Sequence, residues 1–161
     1  MSGGCAIDNV EFARSGRNVG GLLGLVDLPR AAEMLGSARI EYRLQGFVGT
    51  SGRPMLRLKL TGVIGVQCQR CLGALDLEID REAVFELRPA ESDISDDDLQ
   101  NDDLDFLVYD REMSVVDLVE DEIILGVPVA PKHGACDVAE KPSGEKGNAK
   151  RPFDVLASLK K

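Results

Sequence analysis

Tryptophan is absent, histidine occurs once, and aromatic residues make up only 4% of the 161-residue chain. So thin an aromatic complement argues against a platform on which single-stranded bases would stack. Four cysteines are too few for a disulfide scaffold at this length. No apolar run approaches the ~20 residues needed to span a bilayer, and the most apolar early stretch, Gly20 to Leu28, is far shorter. The opening Met1-Ser2-Gly3-Gly4-Cys5 has neither the basic start nor the apolar run of a secretory signal. We therefore expect a cytoplasmic protein, free of the membrane, with reduced thiols. Its cysteines should be buried, metal-bound or reactive rather than bridged; Cys5, in an irregular terminus, is assigned no specific role. Also missing are a Gly-x-Ser-x-Gly elbow, a phosphate-binding loop and a dinucleotide fingerprint. No small-molecule substrate is expected. The stretch Asp96 to Asp105 lacks the Gly and terminal Glu of an EF-hand loop.

What is present suits a globular domain: 43% apolar residues, in a chain long enough to bury a core. The net charge of −9 is unevenly spread. Residues 1–90 carry 11 basic and 10 acidic groups, residues 91–125 carry 1 and 14, and residues 126–161 carry 7 and 4. A near-neutral body thus bears one segment of net −13 and a slightly basic tail. This balance lacks the clustered Lys and Arg of a general nucleic-acid footprint. The acidic run is either a solvated loop or a surface that attracts a basic protein.

Three segments alternate apolar and polar residues with a period of two. Ile40, Tyr42 and Leu44 form the first. Leu56, Leu58 and Leu60 begin the second, whose phase runs through Ile64 and Val66 to Cys68. Leu75, Leu77 and Ile79 begin the third, with Phe85 and Leu87 in phase. Such alternation predicts strands with one buried face, joined by hairpins at Gly49–Gly52 and Gln69–Gly73. Gly46, Gly62 and Gly65 suggest bulges or bends. Arg30 to Leu35, after Pro29, predicts a short helix, and Phe106 to Tyr109 a short returning strand. The best helix opens at Ser114, with Asp117 completing a capping-box variant. Val115, Leu118, Val119 and Ile123 form its stripe, with Glu122 at the edge, and Gly126 and Pro128 end it. Asp117, Glu120 and Asp121 fall on one polar arc. The expected fold is α+β: an antiparallel meander packed by one main helix at about 114–125, with short flanking helices. Residues 1–138 form the domain, with an acidic loop at about 91–105. Residues 139–161 form a flexible linker and an apolar tail, Phe153, Val155, Leu156 and Leu159, which either docks as a helix or serves as a hook for a partner.

Cys68-Gln69-Arg70-Cys71 falls at a predicted hairpin, where the two-residue spacing turns both sulfurs toward one point. His133 and Cys136 repeat that spacing after the main helix. Three thiolates and one imidazole would complete a tetrahedral structural zinc site. Two alternatives stand beside it: unligated thiols, with Cys68 as a small core residue in phase with Val66, and a redox dithiol, which lacks a surrounding thioredoxin-like pattern.

Taken in order, Cys68-Gln69-Arg70-Cys71-Leu72, Val119-Glu120-Asp121-Glu122-Ile123-Ile124-Leu125, Pro128-Val129-x-Pro131-x-His133 and Pro152-Phe153-x-Val155-Leu156-Ala157-Ser158-Leu159-Lys160 resemble the bacterial YceD family, the large ribosomal RNA subunit accumulation proteins. The early Ala13-Arg14-Ser15-Gly16-Arg17 also resembles some members. The resemblance implies a non-enzymatic role in the synthesis, processing or stability of 23S ribosomal RNA, with large-subunit assembly components, protein or 23S rRNA, as partners. It also strengthens the zinc expectation. On the charge pattern, the expected mode is recruitment of a basic assembly partner through Asp96, Asp97, Asp98, Asp102, Asp103, Glu120 and Asp121, with Phe153 and Leu156 as apolar contacts. Direct RNA binding by the Arg-rich start and Lys-rich tail is the alternative. A metal-dependent nuclease using Asp117, Glu120 and Asp121 is a remote one.

Overall fold

A computed structural model describes residues 6–93 and 104–136. Its elements in chain order are β1 (Ala6–Ile7), α1 (Asn9–Arg14), β2 (Asn18–Gly24), β3 (Ser37–Val48), β4 (Pro54–Gln67), β5 (Ala74–Arg88), β6 (Asp105–Val108), β7 (Met113–Ser114) and α2 (Val115–Gly126). Short 3-10 turns occupy Leu25–Asp27, Ala31–Glu33 and Glu91–Asp93. Five strands form one sheet in the order β2-β3-β4-β5-β6, and β1 pairs with β7.

The alternating segments become β3, β4 and β5, with the period-two phase intact. Register places Leu44 opposite Leu58 and Leu56 opposite Phe85, so the apolar members share one face. Leu44, Leu56, Leu58, Leu60 and Ile64 on that face are fully or almost fully buried. Each such side chain contributes roughly 1.5–3 kcal/mol of hydrophobic stabilisation. The helices α1 and α2 supply Phe12, Val115, Val119 and Ile123 to the same core. The result is the expected α+β class, with the opposite sheet face left open to solvent.

Several details differ from the sequence reading. The sheet gains β2, whose three glycines carry no strand signal; pairing with β3 along its whole length supplies what propensity lacks. The short helix expected over Arg30–Leu35 contracts to the turn Ala31–Glu33, and α1 occupies a stretch read only as basic. The returning strand forms, but β6 pairs with β5 in parallel rather than continuing the meander. The glycines of β3 and β4 are not bulges, because register runs one to one from Ser37 opposite Gly65 to Val48 opposite Pro54. They mark close approach instead. A Cβ on Gly46 would stand 2.4 Å from the Phe12 carbonyl oxygen and 2.7 Å from the Ala13 Cα, so α1 lies directly on the backbone of β3 there. Gly62 adopts φ +155°, and a side chain there would strike the Arg39 carbonyl.

The main helix forms as expected. The Ser114 hydroxyl accepts the Asp117 N–H at 3.2 Å, and the chain turns out at Val127, whose N–H reaches the Ile123 and Ile124 carbonyls. Glu122 is more deeply placed than the edge of the stripe implied. It is 5% exposed and meets Arg81 of β5 at 3.4 Å. Burial pushes its carboxyl above the usual range, partly opposed by Arg81. A raised folded pKa means that the ionised form is disfavoured by folding; the penalty is absent at low pH and develops as pH rises through the folded value. Glu122→Gln should therefore stabilise the protein at pH 7, by about 1 kcal/mol or a few degrees in Tm. The gain should vanish at pH values below about 4. Paired thermal melts at the two pH values check this; a variant less stable at pH 7 but unchanged at low pH would show that the Arg81 pair outweighs burial.

Candidate metal centre

Strand β4 carries its core phase one step past its end, which buries Cys68 completely beside Val66. The chain then reverses. Cys68 N–H donates to the Gly73 carbonyl at 2.9 Å, and Leu72 N–H donates to the Cys68 carbonyl at 2.9 Å. Leu72 takes φ +62°, a left-handed conformation uncommon for a leucine, at the tightest point of the turn. This reversal returns Cys71 to the side of Cys68. The second half arrives from the end of α2. Gln69 N–H donates to the Pro131 carbonyl at 2.8 Å and stitches the post-helix segment to the knuckle.

The side chains then converge. Cys68 Sγ lies 3.6 Å from Cys136 Sγ, Cys71 Sγ lies 3.3 Å from His133 Nδ1, and Cys136 Sγ lies 3.7 Å from the same nitrogen. All four donor atoms fall within 4.8 Å of one another. A tetrahedron built on Zn–S bonds of about 2.3 Å and Zn–N bonds of about 2.0–2.1 Å has edges of roughly 3.5–3.8 Å; two of the three separations fall in that range, and the Cys71–His133 pair, at 3.3 Å, is slightly closer. The other ring nitrogen, His133 Nε2, sits 2.9 Å from the Ala74 carbonyl oxygen. A proton donated there leaves Nδ1 as the free lone pair facing the sulfurs, the outer-shell arrangement that orients a ligating imidazole. The backbone N–H of Cys71 is the main cause lowering the Cys68 thiol to about 5; burial opposes it, and the N–H groups of His133 and Arg70 and the Cys136 side chain assist. Burial, together with Cys68 and Cys71, pushes the Cys136 thiol up. A cluster of three sulfurs and one imidazole that can hold a metal ion thus joins the β4–β5 hairpin to the segment after α2.

The acidic arc on α2 has a different fate. Glu120 is 1% exposed, a correction to its reading as a solvent-facing partner contact. Its Oε1 accepts the backbone N–H groups of Arg30 and Ala31 at 2.6 and 2.8 Å, and its Oε2 accepts Arg30 Nε at 2.9 Å. Arg30 also reaches Asp121 Oδ1 at 2.7 Å and the Asp117 carbonyl at 3.0 Å. Asp121 remains half exposed within that clamp. Sequence reasoning found the arc but not Arg30, whose one signal was its place after Pro29 at the start of the expected short helix. Asp96, Asp97, Asp98, Asp102, Asp103, Phe153, Leu156 and Cys5 lie outside the described residues.

Residues 56–160 match the family model described as Large ribosomal RNA subunit accumulation protein YceD. The chain belongs to the YceD family. The match runs from β4 through both halves of the metal cluster and the helix between them, and its name assigns the family to accumulation of large-subunit ribosomal RNA. No curated protein and no solved structure matches the chain. The YceD match begins after β3, so α1, β2, β3 and the Arg30 turn lie outside it. No helix of the described residues is long and apolar enough to cross a membrane.

Proposed function

We propose that this protein is a non-enzymatic, cytoplasmic factor supporting the synthesis, processing or stability of 23S ribosomal RNA. In this reading the Cys68-Cys71-His133-Cys136 cluster holds one structural zinc ion, and the acidic segment recruits a basic component of large-subunit assembly. The family match across the metal cluster carries the reading. Four protein donors would fill a tetrahedral zinc shell and leave no open position for a substrate, the pattern of a structural site. Thiolate-rich ligation favours zinc over the hard cations. The ion would supply a fixed crosslink between hairpin and post-helix segment. The nuclease alternative loses support, since Glu120 is buried and Arg30 already occupies the carboxylates of Glu120 and Asp121.

The role is tested in cells. Deleting the gene should lower mature 23S relative to 16S ribosomal RNA. Wild-type protein should restore the ratio, and a Cys68→Ser/Cys71→Ser protein should not. An unchanged ratio on deletion would remove the role.

The recruitment mode is tested separately. Changing Asp96, Asp97, Asp98, Asp102 and Asp103 to Asn should slow association with the basic protein that co-purifies, several-fold at low salt. Dissociation should change less, because long-range steering acts on encounter. The effect should shrink at physiological salt, where exposed charges are screened over about 8 Å. Stopped-flow binding at two salt concentrations checks this; an unchanged association rate at low salt leaves the segment a solubility loop.

A further inference from the structure

The open face of the sheet carries a basic cluster, interrupted on β3 by Glu41, beside an acidic strand. Arg39 and Arg43 of β3 and Lys59 of β4 project from it and are exposed. Asp76, Glu78, Asp80 and Glu82 of β5 project from the same face one strand further on. The two halves meet where Arg57 pairs with Glu82 at 3.4 Å and lies 5.1 Å over the Phe47 ring. Arg39, Arg43 and Lys59 make no ion pair with any described residue. Three unpaired cations in one lane are notable in a chain of net charge −9.

The lane has a floor. Register sets Gly20 opposite Arg43 and Gly24 opposite Arg39. A Cβ on Gly20 would stand 2.7 Å from the Tyr42 carbonyl oxygen, so this position needs glycine for packing and offers no side chain above the sheet. The consequence is a shallow open trough of about 650 Å³ over β2 and β3, edged by Leu22, Arg39, Glu41 and Arg43. A smaller hollow of about 290 Å³ continues it toward Lys59 and Thr61. Arg43 and Lys59 are cross-strand partners, about 5 Å apart at the backbone, and Arg39 lies four residues along β3, about 13 Å away. Two points that grip phosphate are therefore separated by a stretch in which Glu41 and Thr61 can hydrogen-bond a ribose 2′-hydroxyl.

We propose that this lane, Arg39, Arg43 and Lys59 beside Gly20 and Gly24 of β2, binds the phosphate backbone of RNA. The choice of RNA rests on the functional reading above; the site itself rests on the charge division and the trough. A second copy of the chain is the poorer occupant. Its interface would centre on charged side chains, whereas the cores of stable protein interfaces are depleted of them. The acidic ridge on β5 repels phosphate and confines the strand to β2–β4. Few aromatic side chains face this surface, so binding should be salt-sensitive and nearly indifferent to base sequence.

The test is fluorescence anisotropy of a labelled single-stranded RNA with the full-length protein over a range of salt. The variant Arg39→Gln/Arg43→Gln/Lys59→Gln changes exposed groups only, and an unchanged Tm would verify its fold. Binding should weaken at least tenfold at low salt. The slope of log K against log salt should fall by about 2, the loss of three contacts at roughly 0.7 each. The control Arg14→Gln/Arg17→Gln should retain wild-type binding. Wild-type affinity in the triple variant, or loss in the control instead, would overturn the lane while leaving the 23S role standing, since that role is read from RNA levels in cells. Equal displacement of the RNA by polyglutamate would overturn RNA in favour of an acidic peptide. Sedimentation showing a dimer abolished by the triple variant would overturn it in favour of self-association.

Discussion

Protein purified without chelator should carry about one equivalent of zinc per chain, and stripping that metal should lower its Tm by on the order of 10 °C. The expectation follows from donor geometry. Three sulfurs and a lone-pair nitrogen already stand near the corners of a zinc tetrahedron, so little rearrangement opposes binding. A ligand present at about a thousand times its Kd stabilises the folded form by about 4 kcal/mol. For a domain of this size that corresponds to roughly 8–16 °C. Cys68→Ser/Cys71→Ser should abolish binding. His133→Ala should retain the thiolates but lose both the fourth ligand and the contact to Ala74, and so bind far more weakly. The loosened regions should be the knuckle from Cys68 to Gly73 and the segment from Val127 to Cys136, with β3 and the core of β4 unaffected. Elemental analysis, melts with and without chelator, and amide exchange read these separately. Less than about a tenth of an equivalent of metal would discard the site, because four-ligand binding of this kind survives purification. A melt indifferent to chelator in metal-loaded protein would show that the ion crosslinks nothing the fold depends on.

The legibility of this chain follows from which interactions are periodic. Strands β3, β4 and β5 announce themselves because one buried face imposes a period of two on Ile40 to Leu44, Leu56 to Cys68 and Leu75 to Leu87. Helix α2 does so through its stripe and the Ser114 cap. The metal cluster was legible because two-residue spacing is itself a geometric statement about two side chains, made twice. Strand β2 was hidden, since Gly20 and Gly21 are there for what they lack: a Cβ on Gly20 would meet the Tyr42 carbonyl oxygen at 2.7 Å, and one on Gly21 would crowd the Tyr42 ring at 3.2 Å. Helix α1, six residues long, is too short to develop a stripe and stands on tertiary packing. The parallel pairing of β6 depends on the path taken after Arg88, which no local pattern encodes. The basic lane needed register. Alternation alone places Arg39, Arg43 and Lys59 outward, but only the β3–β4 pairing sets Arg43 beside Lys59, and only the β2–β3 pairing sets glycines opposite Arg39 and Arg43.

Glu120→Ala should be among the most destabilising substitutions in α2, costing about 3 kcal/mol, or roughly 10 °C in Tm. Glycine and metal aside, few residues here hold so much with one group. The turn Ala31–Glu33 has no capping side chain of its own. Its first N–H groups, those of Arg30 and Ala31, are satisfied by a carboxylate that arrives from 90 residues away. Removing that carboxylate leaves two backbone donors unmet at the base of a turn whose Leu28 and Ala31 are fully buried. It also releases Arg30, whose remaining bonds to Asp121 and the Asp117 carbonyl are exposed and worth little alone. Glu120→Gln separates the two contributions. Its amide oxygen can still accept at the turn, while its NH₂ must face Arg30 Nε, so it should cost about half as much. Arg30→Ala should cost less than Glu120→Ala, because it removes a half-exposed partner and leaves the carboxylate on both N–H groups. The expected order of stability is wild type, then Arg30→Ala and Glu120→Gln, then Glu120→Ala. Urea titrations of the four proteins measure it. Should Arg30→Ala prove the worst of the three, the ion pair rather than the turn would be what Glu120 is buried for. The helical string from Val119 to Leu125 would then work as a charge clamp on a polar arc, not as a carboxylate cap for the segment entering β3.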